Sequence, residues 1–161
     1  MKIKVMSQDE ALKYSNNTDK RIAIISIVGA KEKPLEFNEE IVCVFRMFFE
    51  DIERPIGNYK APSKEDFKGL KDFIDNNMDS VDEIVVHCHA GVSRSAACAS
   101  AIARYIGVND LFIWSSSDYM PNRLVFSCTI GELGVDLDEN EIKSLYKMNE
   151  DAHVLSLEFI D

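Results

Sequence analysis

Residues 1–6 (MKIKVM) alternate apolar with polar positions, the two-residue period of a strand. Ser7 and Glu10 then stand at the spacing of a capping box, which predicts a short helix ending near Asn16 and Asn17. Residues 21–28 (RIAIISIV) are apolar almost without interruption, as suits a central parallel strand covered on both faces. A polar loop containing Pro34 follows over residues 29–38, and the run at 41–49 (IVCVFRMFF) predicts another strand. Residues 53–62 (ERPIGNYKAP) read as a loop. Ser63, with Asp66 three residues on, opens a helix to about Met78 whose buried face is Phe67, Leu70, Phe73 and Ile74.

Residues 83–87 (EIVVH) are short, apolar and rich in β-branched side chains, and predict a buried strand; the Ala-rich stretch 95–106 (SAACASAIARYI) predicts a helix. Downstream the pattern weakens. Residues 111–114 (LFIW) fit an edge strand, and Asp118 to Phe126, with Pro121 near the first turn, a further helix. Asp138 with Glu141 caps a last amphipathic helix to about Met148, and residues 153–160 (HVLSLEFI) are apolar enough to pack on the body or to pair as a strand. This alternation of strands and helices predicts one α/β domain spanning residues 1–161. Its central, mostly parallel sheet of four to five strands carries helices on both faces.

At 161 residues, 46% of them apolar, the chain can bury a real core. A net charge of −10 argues against nucleic acid or anionic lipid as partner, since both bind through excess Lys and Arg. No apolar stretch approaches a membrane span and the N-terminus lacks the apolar core of a signal peptide, so the expectation is a cytoplasmic monomer. The four cysteines show no metal-like or paired spacing, which fits a reducing compartment; Cys43 and Cys98 read as core residues.

The chemistry is concentrated between the strand at 83–87 and the helix at 95–106. The loop His87-Cys88-His89-Ala90-Gly91-Val92-Ser93-Arg94-Ser95 must turn sharply, and Gly91 supplies the backbone freedom for it. Successive amides in such a turn point inward and the following helix adds its unpaired first-turn donors and the positive end of its dipole, so a tetrahedral dianion fits there. The same amides, Arg94 and the helix terminus favour the thiolate of Cys88, a nucleophile near neutral pH. Arg94 offers a planar fork able to hold two phosphoryl oxygens. Ser95 can donate to the sulfur when it leaves a phospho-cysteine, and His87 orients the loop by hydrogen bonding.

These residues resemble the His-Cys-x-x-Gly-x-x-Arg-Ser/Thr signature of the cysteine-dependent protein tyrosine phosphatases, and the run from Ala90 to Ala96 looks most like the dual-specificity branch. The resemblance implies a phosphotyrosine-phosphatase-like fold and hydrolysis of phosphate monoesters on tyrosine, with serine or threonine also open. It implies a phospho-Cys88 intermediate and no metal or other cofactor. Phosphate would be held by His89, Ala90, Gly91, Val92, Ser93 and Arg94, with His87 and the Asn122 of Pro121-Asn122 supporting the loop. The implied partner is a phosphorylated protein or another phosphate-monoester substrate.

The family's general acid is an aspartate on an upstream loop, and Asp51, just past the strand at 41–49, is the candidate. The Trp-Pro-Asp triplet of the larger enzymes is absent, and the gap from Asp51 to Cys88 is long for the branch. Glu50 and Glu53 are close rivals, and Asp66 a weaker one. Lipid-phosphate branches place lysines in the signature loop, where this chain has none. Two alternatives stand beside the protein phosphatase: an enzyme of the same fold acting on an inositol phosphate, a phospholipid or an RNA end, and a low-activity module that only binds phosphate. A reversible Cys43–Cys88 disulfide is the one redox pairing the sequence raises.

Overall fold

In the computed structural model, which describes residues 1–38, 40 and 42–158, four strands form one sheet: β1 (Lys2–Ser7), β2 (Ile22–Val28), β3 (Val42–Phe48) and β4 (Glu83–Cys88). Their order is β1-β4-β2-β3 and every adjacent pair is parallel. Seven helices accompany them: α1 (Gln8–Asn17), α2 (Lys64–Phe67), α3 (Leu70–Asn77), α4 (Arg94–Ile106), α5 (Leu111–Trp114), α6 (Arg123–Leu133) and α7 (Glu139–Glu158).

The strand period divides the core into two faces. Ile22 and Ile24 of β2, Val42 of β3 and Val85 of β4 pack with Ala11 of α1 on one side, while Ala23, Ile25, Ile27, Ile84 and Val86 point to the other, where α3, α4 and α6 lie. β2 and β4 are buried along their whole length, which is why their sequences read as apolar runs without alternation. α4 is buried without a break from Arg94 to Ala103, because it is enclosed between the sheet and α6. Its alanines let both neighbours approach.

The Ser7 and Glu10 capping box forms as its spacing predicts, with the Glu10 amide donating to Ser7 Oγ and the Ser7 amide to the Glu10 carboxylate. Asp138 and Glu141 do the same at the start of α7. At the amino edge of β4, Glu83 is buried. Burial works against its charge, yet Lys20, Tyr14 and Lys4 bond to the carboxylate and hold it down to about 2.

Several expectations are corrected. Residues 111–114 are a helical turn and not an edge strand, because Trp114 reaches back one turn: its indole N–H donates to Asp110 and to Ser100 Oγ. The sheet therefore stays at the lower of the expected four to five strands. Arg104 completes this buried cluster on the Asp110 carboxylate. The helix expected over residues 63–78 is broken into α2 and α3 by Gly69, which adopts φ +88 and donates its amide to Glu132. The helix expected from Asp118 begins at Arg123, capped by Asn122. The last helix does not stop near Met148 but runs to Glu158, since no Gly or Pro ends it and Asn149 and His153, one turn apart, both bond the Tyr119 carbonyl. The terminal segment is therefore helical to 158, and its last part, Phe159 and Ile160, lies outside the described residues, as does Ile41. Among the described residues no helix is long and apolar enough to cross a membrane.

Candidate active site

β4 lies inside the sheet and delivers Cys88 to its carboxyl edge, where residues 89–93 turn back into α4. Gly91 has φ +71, and a Cβ there would sit 2.5 Å from the Ser7 nitrogen and 2.6 Å from the Met6 carbonyl carbon. Two demands thus converge on glycine: a left-handed backbone and direct contact with the end of β1. The Gln8 amide, donating to the His89 carbonyl at 3.2 Å, ties the same junction to the loop. Among the described residues, none of the amides of residues 89–93 donates to another backbone group, which leaves them available to an anion.

Cys88 Sγ lies 3.0 Å from Ser95 Oγ, and both residues are buried. Arg94 is only 7% exposed, too enclosed for a solvated surface cation. One terminal nitrogen donates to the Phe49 carbonyl at 2.9 Å, while its Nε is buried without a partner. A buried guanidinium N–H with no acceptor is costly, and an oxyanion would satisfy it. His87 is wholly buried on the opposite face of β4 from Cys88. Its Nδ1 lies 3.3 Å from the Cys88 carbonyl, so the ring carries its proton there, and Ser26 Oγ donates to Nε2 at 2.6 Å. Burial lowers its pKa to about 4, outweighing the bond to the Cys88 carbonyl, with Arg94 adding to the depression. The ring is neutral and serves as a strut.

Asp51 sits just beyond β3, and its Oδ1 accepts from Ser93 Oγ at 2.8 Å and from Asn122 Nδ2 at 2.9 Å. Asn122 also donates to the Ile52 carbonyl, receives the Val125 amide and gives its own amide to the Ser93 carbonyl, so one side chain joins the acid loop, the signature loop and α6. The other carboxylates are engaged elsewhere: Glu50 takes the Ala30 amide, Glu53 the Arg123 amide, and Asp66 binds Ser63 and Lys60. His89, Ala90 and Val92 are exposed at the rim, where the Val92 carbonyl receives the Met120 amide.

The structure therefore gathers Cys88, Arg94, Ser95, Ser93, Asp51 and Asn122 at one edge and puts His87 behind them. It separates Cys43 from Cys88. Cys43 and Ile84 both pair with Ala23, so Cys43 is two strands away and four residues down the sheet, more than about 13 Å along the strand direction. A disulfide cannot span that. Cys98, buried in α4, has its thiol pushed up to about 12 by burial. The Phe49 carbonyl on Arg94, Ser26 on His87 and the Met6–Ser7 floor under Gly91 went unread in the sequence. Backbone contacts between distant segments leave no residue-type signal.

A four-stranded parallel sheet with this strand-loop-helix site defines the fold of the cysteine-dependent phosphatases of the dual-specificity type. A family model described as "Tc-R-P: Polymorphic toxin system, DSP-PTPase phosphatase" matches residues 1–107, and the chain belongs to that family. The match ends at Gly107, the cap of α4, so Asn122 lies beyond it. No curated protein matches the chain. Among solved structures it is similar to Tk-PTP in the active form, at 17% identity over 93% of this chain and 92% of that one, TM-score 0.43. Human DUSP28 is similar at 14% identity over 96% and 94%, TM-score 0.47. PTPMT1 in complex with PI(5)P is similar at 10% identity over 96% and 94%, TM-score 0.44.

Proposed function

We propose that this phosphatase hydrolyses phosphate monoesters on proteins, phosphotyrosine first, through a phospho-cysteine intermediate, and that residues 1–161 form its phosphatase domain. The observation that carries this reading is the buried, unpartnered Nε of Arg94 beside the Cys88 and Ser95 pair. A guanidinium poised in this way next to a nucleophilic sulfur suits a phosphoryl group.

In the first step the Cys88 thiolate attacks phosphorus, the ester P–O bond breaks and Asp51 protonates the departing oxygen. In the second, water attacks phosphorus while the Asp51 carboxylate takes its proton, and the S–P bond breaks with Ser95 donating to the leaving sulfur. Arg94 and the loop amides hold the equatorial oxygens throughout. Asp51 is preferred to Glu50, Glu53 and Asp66 because its carboxylate alone bonds the signature loop, through Ser93. The absence of lysine among residues 89–93 favours a protein substrate over a phosphoinositide.

Steady-state hydrolysis of an aryl phosphate and a phosphotyrosyl peptide by wild type, Cys88→Ser and Asp51→Asn tests the reading. Turnover by wild type, none by Cys88→Ser and a lost acidic limb for Asp51→Asn support it. A folded wild type inert on both substrates overturns it.

A further inference from the structure

At the carboxyl edge of β2 and β3, Ala30, Lys31, Glu50, Asn58, Tyr59 and Lys60 line a cleft of about 630 Å³. Three consecutive residues join it to the phosphate site: Phe49 holds Arg94 through its carbonyl, Glu50 lines the cleft, and Asp51 bonds Ser93 and Asn122. A substrate whose phosphate sat against Arg94, with its ester oxygen near Asp51, would have this segment beside it.

The outer wall of the cleft is a fixed turn. The Glu50 amide donates to the Lys60 carbonyl at 2.8 Å and closes the excursion at its base, and Ile56 and Tyr59 pair across its tip. Lys60 is tied down by the Phe48 carbonyl and by Asp66. Yet Ile56 is 45% and Tyr59 66% exposed. Tyr59, held by this turn on the cleft wall, offers an exposed aromatic face to an apolar group.

The cleft is far larger than a phosphate group or one ring requires, and pockets of this size hold several side chains. Its polar groups are of both kinds: the Asn58 amide, the Lys31 ammonium, which makes no ion pair among the described residues, and the Glu50 carboxylate, of which one oxygen takes the Ala30 amide. Lys60 is already neutralised by Asp66. Mixed donors and acceptors match a polypeptide, whose backbone offers N–H and C=O together; a polyphosphorylated headgroup calls for concentrated cations.

We propose that this cleft binds the polypeptide flanking the phosphorylated residue, with an apolar side chain of that segment seated on Tyr59. The inference rests on the phosphatase reading above and adds to it a subsite for the chain around the phosphorylated residue.

The test compares kcat/KM for a phosphotyrosyl peptide bearing apolar neighbours, for the same peptide with those neighbours changed to glycine, and for an aryl phosphate. Wild type and Tyr59→Ala are measured side by side, with circular dichroism to establish folding. Tyr59→Ala should lower the peptide-to-aryl-phosphate ratio about tenfold, the glycine peptide should lower it similarly in wild type, and the two losses should not add. A ratio unchanged in the variant overturns the proposal, as does a Tyr59→Ala loss confined to vesicles containing phosphoinositide. Binding of the labelled peptide to Cys88→Ser, followed by fluorescence anisotropy, reads the subsite without turnover. Roughly tenfold weaker binding on adding Tyr59→Ala supports the subsite even where wild type hydrolyses nothing, an outcome that sinks the phosphatase reading alone.

Discussion

Ser93 and Asn122, from the start of α4 and of α6, donate to the same oxygen of Asp51, at 2.8 and 2.9 Å. The carboxylate is thereby oriented from two elements, and its second oxygen takes no hydrogen bond among the described residues, as the proposed acid role requires.

That arrangement predicts how activity depends on the leaving group. Asp51→Asn should lower kcat about 100-fold on an alkyl or phenyl phosphate and far less on a monoester whose leaving group departs without a proton. Asn122→Ala, which leaves the carboxylate present but loosely held, should cost about tenfold on the poor leaving groups alone. A series of aryl phosphates spanning leaving-group acidity reads both, and equal losses across the series would remove Asp51 from the acid role.

Arg94→Lys keeps a charge at the site but forfeits the fork and the bond to the Phe49 carbonyl. kcat/KM should fall by about 100-fold or more while the fold survives. A variant within threefold of wild type would mean that the unpartnered Nε contributes nothing to phosphate binding.

The neutral, buried His87 links stability to pH. Its folded pKa of about 4 lies below the ordinary 6.5, so the unfolded chain binds the extra proton between those values. Stability should be full above about pH 6.5 and fall as pH drops toward 4, by at most roughly 3 kcal/mol. Glu83, held down to about 2 from 4.5, adds its own loss only below about pH 4.5. Urea unfolding from pH 7.5 to 4 should show the decline beginning above the carboxylate range; a flat profile down to pH 5 would contradict the neutral strut.

Asp110 collects Arg104, Ser100 and Trp114 on one buried carboxylate. Asp110→Ala strands the Arg104 and Ser100 donors and leaves Trp114 only Ser100 Oγ, and should cost roughly 3 kcal/mol, measured as a lower urea midpoint, with aryl phosphate kinetics little altered at temperatures where the variant is folded.

Much of this architecture is legible in the sequence because each feature is local. The run at 83–87, Gly91 and the Cys88 to Arg94 spacing all act within a few residues, as do the capping boxes at Ser7 and Asp138. The failures share a cause in contacts between distant segments. Trp114 is helical because Asp110 and Ser100 need its N–H; α7 continues past Met148 because the 116–119 loop takes Asn149 and His153. Gly69 was visible as a glycine, but its left-handed backbone and its bond to Glu132 in α6 were not. The candidate nucleophile and arginine come from one stretch of chain, whereas the choice among Glu50, Asp51 and Glu53 required knowing where Ala30, Asn122 and Arg123 lie.

Gly91 rests on the Met6–Ser7 peptide, so the floor of the phosphate loop is the end of an edge strand some eighty positions away in the chain. Among the described residues β1 pairs with a single strand, β4, and edge strands of this kind are among the elements that open at lower cost than the sheet centre. Each such opening would take the support from under the loop while leaving the core intact. Amide hydrogen exchange in residues 2–7 is therefore expected to track aryl phosphate hydrolysis more closely than global stability does.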